Sequence, residues 1–139
     1  MKFKKLKSNH YLNVNINRYK INWIKPSASK LQTNVKAFLF NYWRGCFVLE
    51  EFKIPGSRLR CDFLNLNKKI AIEVHGGQHF EFNKFFHGNL TNWTNSFKRD
   101  LDKYNWLIEN EFQVIELIEE DVNQLSVDYI QKKFGIFIA

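Results

Sequence analysis

Residues 58–79 constrain the fold more tightly than any other stretch of the chain. Two mainly apolar segments flank the turn residues 65–67, which include two asparagines, a pattern that predicts two β-strands joined by a tight turn. Each segment places an acid at a strand position, Asp62 in the first and Glu73 in the second. Strands disfavour Asp, and adjacent carboxylates among apolar side chains are unfavourable unless a cation accompanies them. The hairpin therefore predicts a metal site.

The composition is that of a single folded domain. The chain has 139 residues, of which 45% are hydrophobic, enough for a core without disulfides as supports. The two cysteines, Cys46 and Cys61, fit neither a disulfide framework nor a metal-ligand spacing, which indicates a reducing compartment. No apolar run approaches the roughly 20 residues of a membrane span, and no signal-peptide pattern follows the basic first residues. We therefore expect a soluble, intracellular protein without a membrane partner.

The positive charge is concentrated in the first third of the chain. Residues 1–49 contain ten Lys and Arg and no acid, whereas residues 50–139 contain eleven Lys and Arg against fourteen acids. This asymmetry is typical of proteins that bind polyanions, and it favours nucleic acid as the partner. The sequence leaves open the alternative that the basic segment only aids solubility.

Hydrophobic periodicity and turn signals predict the element order β, then α-β-β-β-α-β-α. The predicted strands span 11–24 (as one strand or a short hairpin), 47–53, 58–65, 69–75 and 112–118, and the predicted helices span 30–43, 96–110 and 121–133. We expect a flexible arm over 1–9, a central position for the last strand, and a buried stripe of Phe97, Leu101, Tyr104 and Ile108 on the second helix. The order predicts an α/β fold, a mixed sheet flanked by helices.

Four motifs follow one another along this order. Asp62 lies in the second core strand, Glu73-Val74-His75 ends the third, two glycines lead to His79, and Lys98-Arg99-Asp100 opens the next helix. Over residues 30–120 this series resembles the PD-(D/E)XK nuclease superfamily. More narrowly, it is similar to the very-short-patch-repair nucleases and to the phage homing endonucleases of the EDxHD class.

The resemblance implies a restriction-endonuclease-like core with a mixed four-stranded sheet and a basic N-terminal β extension. Residues 1–29 would form the basic arm and extension, and residues 30–139 the nuclease domain. It also implies Mg²⁺ as cofactor, with Mn²⁺ able to substitute, and double-stranded DNA as the substrate. A homodimer is one way to cut both strands. A phage enzyme would act in the cytoplasm of the infected bacterium.

Roles for the site residues follow from the chemistry together with the resemblance. The metal ligands would be Asp62, Glu73 and the backbone carbonyl of Val74; the general base would be His75 or His79; and Asp100 would orient the histidine. Buried side by side, the two acids should share a proton, which raises the pKa of one of them. Two simpler explanations stay open: exposed acids paired with Arg58 or Arg60, and an Asp100 that only stabilises a helix terminus.

One position departs from the family pattern. The related nucleases often carry a glutamate on the first helix, but helix 30–43 contains no acid, and Gln32 lies nearest the expected place. Glu50 or Glu51 in the next strand could substitute for it. The sequence therefore leaves three functions open: a Mg²⁺-dependent homing endonuclease, a structure- or mismatch-specific nickase of the same fold, and a catalytically inactive DNA-binding module.

The candidate DNA contacts are basic or aromatic side chains. Lys103 could reach a phosphate or pair with Asp100, and the aromatic residues of loop 79–94 could insert between bases or fold back as a small core. The predicted contacts are Lys2, Lys4, Lys5, Lys7, Arg18, Lys20, Arg58, Arg60, Lys84, Phe85, Phe86, Lys98, Arg99 and Lys103.

Overall fold

The computed structural model describes residues 1–76 and 90–139, with the side chains of residues 90–97 outside the description. The strands are β1 (Lys2–Lys4), β2 (Tyr11–Asn13), β3 (Val48–Lys53), β4 (Arg60–Asn65), β5 (Ile70–Val74) and β6 (Gln113–Leu117). The helices are α1 (Lys30–Trp43), α2 (Leu90–Glu109), α3 (Glu119–Val122) and α4 (Val127–Phe134), and a 3-10 helix spans Ile16–Tyr19. None of the helices in this described part is long and apolar enough to cross a membrane.

A four-stranded mixed sheet forms the centre of the fold, as predicted. Its strand order is β3-β4-β5-β6, with antiparallel pairing from β3 to β5 and parallel pairing between β5 and β6. The prediction that the last strand is central was wrong, because β6 forms an edge. Ile115 and Leu117 are fully buried there, while Gln113 and Glu116 are exposed. Helices cover both faces of the sheet, so even an edge strand carries an apolar sequence.

Two apolar clusters lie on the sheet. The first joins α1 and α4 to the strands through residues such as Val35, Leu39 and Ile130. The second joins the strands to α2 and the N-terminal segment through Trp106, Leu107 and Phe3, among others. The described part is therefore a sheet with helical layers on both sides, which is an α/β architecture.

The first residues are ordered, so the prediction of a flexible arm was wrong. β1 pairs antiparallel with β2, and Phe3 is 1% exposed, with its ring centroid 4.9 Å from that of Phe52. Trp106 Nε1 donates a hydrogen bond of 2.6 Å to the carbonyl of Lys4. One aromatic residue among four lysines is enough to fix the segment, because burying a Phe side chain contributes roughly 2–3 kcal/mol.

The segment after β2 runs along the edge of β3. Only residues 11–13 of the predicted strand 11–24 are extended in a ladder, and a 3-10 helix follows. Lys20 then forms an isolated antiparallel bridge with Leu49, and the amide of Ile21 donates to the carbonyl of Val48 at 2.9 Å. This contact covers part of an edge strand that would otherwise expose its backbone groups.

Helix α2 buries a different face from the predicted one. Leu101, Tyr104 and Ile108 are each more than 40% exposed, while Trp106 and Leu107 are buried, and the side chain of Phe97 lies outside the description. Lys103 lies on the inward face, three residues before Trp106 and four before Leu107. Because that position holds a lysine, the apolar pattern favoured the wrong stripe. The helix also begins at Leu90, earlier than predicted.

The first helix matches its predicted bounds, and the last does not. Ser29 caps α1 by accepting a hydrogen bond from the amide of Gln32 at 3.1 Å. The predicted helix 121–133 is instead two short helices, α3 and α4, separated by residues 123–126. Asp121 joins them, since it accepts hydrogen bonds from the amide of Ile118 at 2.9 Å and from the hydroxyl of Tyr129 at 2.5 Å.

Candidate functional site

The β4–β5 hairpin opens at the level of Asp62 and Glu73. Its ladder pairs Phe63 with Ile72 and continues toward the turn, but the next pair outward, Asp62 and Glu73, is not part of it. Each carboxylate instead bonds to the backbone of the opposite strand. The amide of Asp62 donates to Glu73 Oε2 at 2.7 Å, and the amide of Val74 donates to Asp62 Oδ2 at 2.7 Å. Hydrogen bonds from backbone amides to the two carboxylates thus replace the ladder at this level of the hairpin.

Burial raises the pKa of both acids. Burial, reinforced by the charge of Glu73, raises the pKa of Asp62 to about 7. Glu73 is 2% exposed, and burial raises its pKa although Lys103 opposes the change. The prediction was a raised pKa for one of the two acids, whereas burial raises the pKa of both. Arg58 and Arg60 are exposed, and Arg60 Nη1 donates to the carbonyl of Glu51 at 3.2 Å.

The cation beside these acids is Lys103 of α2. Its Nζ lies 2.7 Å from Glu73 Oε1, and its side chain is only 17% exposed. Burial alone would lower the pKa of Lys103, but the neighbouring Glu73 carboxylate raises it above its ordinary value. In this arrangement Lys103 therefore pairs with Glu73 and not with Asp100, while its contact with DNA stays a prediction. Its place on the inward face of α2, with Trp106 and Leu107, directs the ammonium group to Glu73 instead.

A third carboxylate, Glu51, falls opposite Asp62 on the other side. Glu50 pairs with Phe63 and Phe52 with Cys61, so the register places Glu51 level with Asp62, but this pair is missing from the ladder. Glu51 has φ 52°, a left-handed conformation that is uncommon for residues other than glycine. Residues in such sparsely populated conformations cluster at functional sites, which makes Glu51 a candidate residue of this site.

Helix α1 brings Gln32 to the same place. Gln32 Nε2 donates to Glu51 Oε1 at 3.0 Å and to Glu50 Oε2 at 3.3 Å. Lys36, one turn further along the helix, lies 2.8 Å from Glu50 Oε1 and also donates to the carbonyl of Lys25 at 2.7 Å. The charge of Glu50 is therefore balanced by Lys36, whereas Glu51 contacts the neutral amide of Gln32. Of the two glutamates considered as substitutes for a helix acid, Glu51 lies level with Asp62.

His75 follows directly on β5 and faces other acids. Its Nε2 lies 3.5 Å from Glu116 Oε1 on β6, and its backbone amide donates to the carbonyl of Leu117 at 2.8 Å. Burial lowers the pKa of His75, but Glu116 more than offsets this, with smaller contributions from Asp100 and Glu73, so the pKa is raised. Asp100 on α2 is thus close enough to act on the imidazole electrostatically.

The chemistry of the donors fits a hard divalent cation. Asp62, Glu73 and Glu51 offer carboxylate oxygens, which Mg²⁺ prefers, and burial together with the neighbouring charge of Glu73 raises the pKa of Asp62. Val74 lies in β5 between Glu73 and His75, with its amide bonded to Asp62. Within residues 1–76 and 98–139 there is no group of three or more His, Cys, Asp or Glu side chains arranged to hold a metal ion. In the described arrangement, a cation would compete with Lys103 for Glu73.

The other predicted site residues lie at the surface or outside the described part of the chain. His79, Lys84, Phe85 and Phe86 fall in residues 77–89, which the structure does not describe. Lys7 forms an ion pair with Asp102 at 3.2 Å. Lys4 and Lys5 are half-buried, and the remaining exposed candidates are Lys2, Arg18, Lys20, Arg58, Arg60, Lys98 and Arg99.

Sequence reasoning missed two residues of this region, Lys36 and Glu116. Lys36 stands four residues after Gln32 and three before Leu39, which places it on the buried face of α1. A lysine at an inward position needs a carboxylate partner, and this signal could have indicated Glu50. Glu116 gave no local signal, since its contact with His75 depends on the parallel register of β5 and β6.

Comparisons of the chain with protein-family models, with curated proteins and with solved structures find no match. The case for a function therefore rests on the arrangement of Asp62, Glu73 and their neighbours.

Proposed function

We propose that the protein is a Mg²⁺-dependent DNA endonuclease with a PD-(D/E)XK core, acting as a phage homing endonuclease. The observation that carries the proposal is the pairing of Asp62 and Glu73 across the open end of the β4–β5 hairpin. A sheet seldom places two buried acids side by side, and burial together with the charge of Glu73 raises the pKa of Asp62, so a cation bound there would stabilise its ionised form.

In this proposal Asp62 and Glu73 hold the metal ion, and Glu51 is available beside them. Bound Mg²⁺ would supply positive charge that stabilises the developing charge on the phosphate. Lys103 opposes the effect of burial on Glu73, since its ammonium group lies 2.7 Å from the carboxylate, but burial still raises the pKa of Glu73. The ion pair thereby offsets part of the cost of burying this ligand as a carboxylate.

His75 is the described candidate for the general base. Its raised pKa, above the ordinary 6.5, suits an imidazole that accepts a proton near neutral pH. Glu116 and Asp100 stabilise the protonated form that results from proton uptake. His79, the second candidate for this role, lies outside the described residues.

The direct test is cleavage of supercoiled plasmid DNA in the presence of Mg²⁺. The wild-type protein should convert the plasmid to nicked or linear forms, and Asp62→Asn should reduce this to background. Asp128→Asn is the matched control, because it makes the same chemical change at an exposed position on α4. Accumulation of the nicked form alone would favour the nickase of the same fold. Equal cleavage by wild type and Asp62→Asn would contradict the proposal.

A second candidate function is a DNA-binding module without nuclease activity. Two observations favour it: the Lys103 ammonium already pairs with Glu73, and helix α1 contacts Glu50 and Glu51 with the neutral amide of Gln32 instead of an acid. Both candidates predict salt-sensitive DNA binding, but only the nuclease cleaves.

The variant Gln32→Glu separates the two candidates. It removes the donor to Glu50 and Glu51 and brings a third carboxylate next to them, so the melting temperature in EDTA should fall. If the site takes Mg²⁺ or Mn²⁺, either ion should restore the melting temperature of this variant, and plasmid cleavage should be retained or increased. If neither ion restores the lowered melting temperature, and neither the wild type nor Gln32→Glu cleaves the plasmid, the inactive module is favoured.

A further inference from the structure

We propose that a cavity beside the carboxylates binds one unstacked nucleotide of the DNA strand, with the phosphate at its rim and the base inside. The cavity has a volume of 460 Å³ and lies between the segment before α1 and the edge of β3. That size falls in the range of small-molecule sites, about 300–1,000 Å³. The proposal rests on the proposed function in taking DNA as the ligand.

The charges of the lining run from positive at the rim to negative inside. Arg18, Lys20 and Lys25 line the cavity with exposed side chains, whereas the lining residues Glu50 and Glu51 are half-buried. A free inorganic anion would be attracted by the rim and repelled by the interior. A nucleotide suits both parts, because its phosphate is anionic and its base carries N–H donors.

The inner wall offers a hydrogen-bond acceptor that can contact a base. Glu50 is engaged by Lys36 at 2.8 Å, by Gln32 at 3.3 Å and by the hydroxyl of Ser27. Glu51 accepts from Gln32 through Oε1, and its Oε2 makes no hydrogen bond within the described residues. A carboxylate oxygen with a vacant acceptor position pairs with the amino group of adenine, cytosine or guanine.

The side wall is a fixed aromatic ring. Tyr19 lines the cavity and packs edge-on against Phe52, with ring centroids 4.9 Å apart and planes inclined at 69°. Arg18 lies above the same ring, with its guanidinium carbon 6.0 Å from the centroid. Rigid aromatic surfaces next to basic groups are the usual platforms for unpaired bases, with stacking worth about 1–3 kcal/mol per base.

Glu51 belongs both to this cavity and to the carboxylate site, which gives the cavity its place in the reaction. It lines the cavity and lies level with Asp62 in the register of β3 and β4. A base can enter a cavity only after leaving the helical stack. The bound nucleotide would therefore be an extruded or unpaired one, close to the phosphodiester held at Asp62 and Glu73.

The test compares two DNA duplexes that differ by one unpaired nucleotide. Binding of each fluorescein-labelled duplex is measured by fluorescence anisotropy in EDTA, so that no step depends on cleavage. The wild-type protein should bind the bulged duplex more tightly than the fully paired one, by about tenfold. Equal affinity for the two duplexes would overturn the proposal.

Two cavity variants and one control locate the effect. Ala28→Trp fills the cavity without changing charge, because Ala28 is an exposed lining residue, and it should abolish the preference for the bulge. Lys25→Ala should reduce the preference, while Lys132→Ala, an equal loss of charge on α4, should leave it intact. A preference that survives Ala28→Trp in a protein with an unchanged melting temperature would overturn the proposal. Cavity-dependent binding without any plasmid cleavage would instead overturn the nuclease and leave a nucleotide-binding site.

A competition experiment distinguishes binding of a whole nucleotide from binding of a phosphate alone. Deoxyadenosine monophosphate should displace the bulged duplex from the wild-type protein at lower concentrations than inorganic phosphate does, because only the nucleotide also fills the interior. Equal competition by the two would show that the rim alone binds, and it would contradict the proposed position of the base.

Discussion

Asp62 shows how one side chain couples the chemistry of the site to the stability of the fold. It accepts a hydrogen bond from Val74 while its pKa stands at about 7, so near neutral pH it is only partly ionised. The protein thus keeps a buried acid whose charged form is unfavourable in the absence of a cation. The effect of this buried charge on the stability of the protein can be measured without an activity assay.

We expect Asp62→Asn to stabilise the protein in EDTA, increasingly so as the pH rises. The folded pKa of about 7 exceeds the ordinary value of 3.8, so the unfolded chain loses its proton first and wild-type stability falls between these pH values. Asn can still accept from Val74 but has no charge to bury. The gain should reach about 2–4 kcal/mol above pH 7. Urea unfolding at several pH values measures it, with Asp128→Asn as control, and a gain independent of pH would contradict the assignment.

Lys103 is the second residue whose removal has a defined electrostatic result. Lys103→Met should destabilise the protein by about 3 kcal/mol at pH 8, because a buried Glu73 loses its counter-charge. Lys98→Met, the same change at an exposed position of α2, should have little effect. Adding Glu73→Gln to Lys103→Met should recover most of the loss in urea unfolding. Full additivity of the two changes would mean that the ion pair is unimportant.

At the scale of the elements, sequence reasoning was accurate where the buried positions are apolar and failed where a polar residue points inward. Helix α1 and the three antiparallel strands were predicted closely, because their buried positions are mostly apolar and their turns carry clear signals. The face of α2 was wrong because Lys103 occupies an inward position, and polar residues are counted as outward by periodicity. The pairing of Asp62 with Glu73 was foreseeable from the hairpin, whereas the choice between Glu50 and Glu51 required the register of β3 and β4.

The contact between α3 and α4 depends on the carboxylate of Asp121. Asp121 is 1% exposed, and its pKa is lowered because the amide of Ile118, Lys133 and Tyr129 outweigh the effect of burial. A lowered folded pKa means that this stabilisation is present above the ordinary pKa and is lost as the pH falls through the folded value.

Asp121→Asn should therefore destabilise the protein at neutral pH, by about 2 kcal/mol. The difference from the wild type should shrink as the pH falls from about 4 through the lowered pKa of folded Asp121, because the wild-type carboxylate then also takes up a proton. Urea unfolding over this range, again with Asp128→Asn as control, measures it. An undiminished difference at low pH would show that packing, and not charge, explains the loss.

At the scale of the whole molecule, the charge distribution separates two surfaces. The N-terminal third carries ten of the 21 Lys and Arg residues and no acid, and its exposed basic side chains include Lys2, Arg18 and Lys20. Exposed acids are concentrated elsewhere, for example at Glu119 and Glu120 of α3. A polyanion should approach from the first surface and be repelled by the second.

DNA affinity should accordingly fall steeply with salt, and single lysines should account for part of the slope. Lys2→Ala should lower the slope of log affinity against log salt by about one, because this exposed lysine belongs to the basic N-terminal third. Lys132→Ala on α4 should leave the slope unchanged. Fluorescence anisotropy across a salt series measures both, and equal effects of the two variants would contradict the proposed orientation.

The packing of β1 against α2 has a consequence for the order in which the chain folds. The carbonyl of Lys4 accepts from Trp106 and the amide of Lys4 donates to Asn110 at 3.3 Å, so partners stand more than a hundred residues apart. During synthesis, β1 is made more than a hundred residues before its partners Trp106 and Asn110, so these contacts can form only after α2 has been made. Closing so long a loop is slow, so we infer that the docking of Phe3 is a late step in folding.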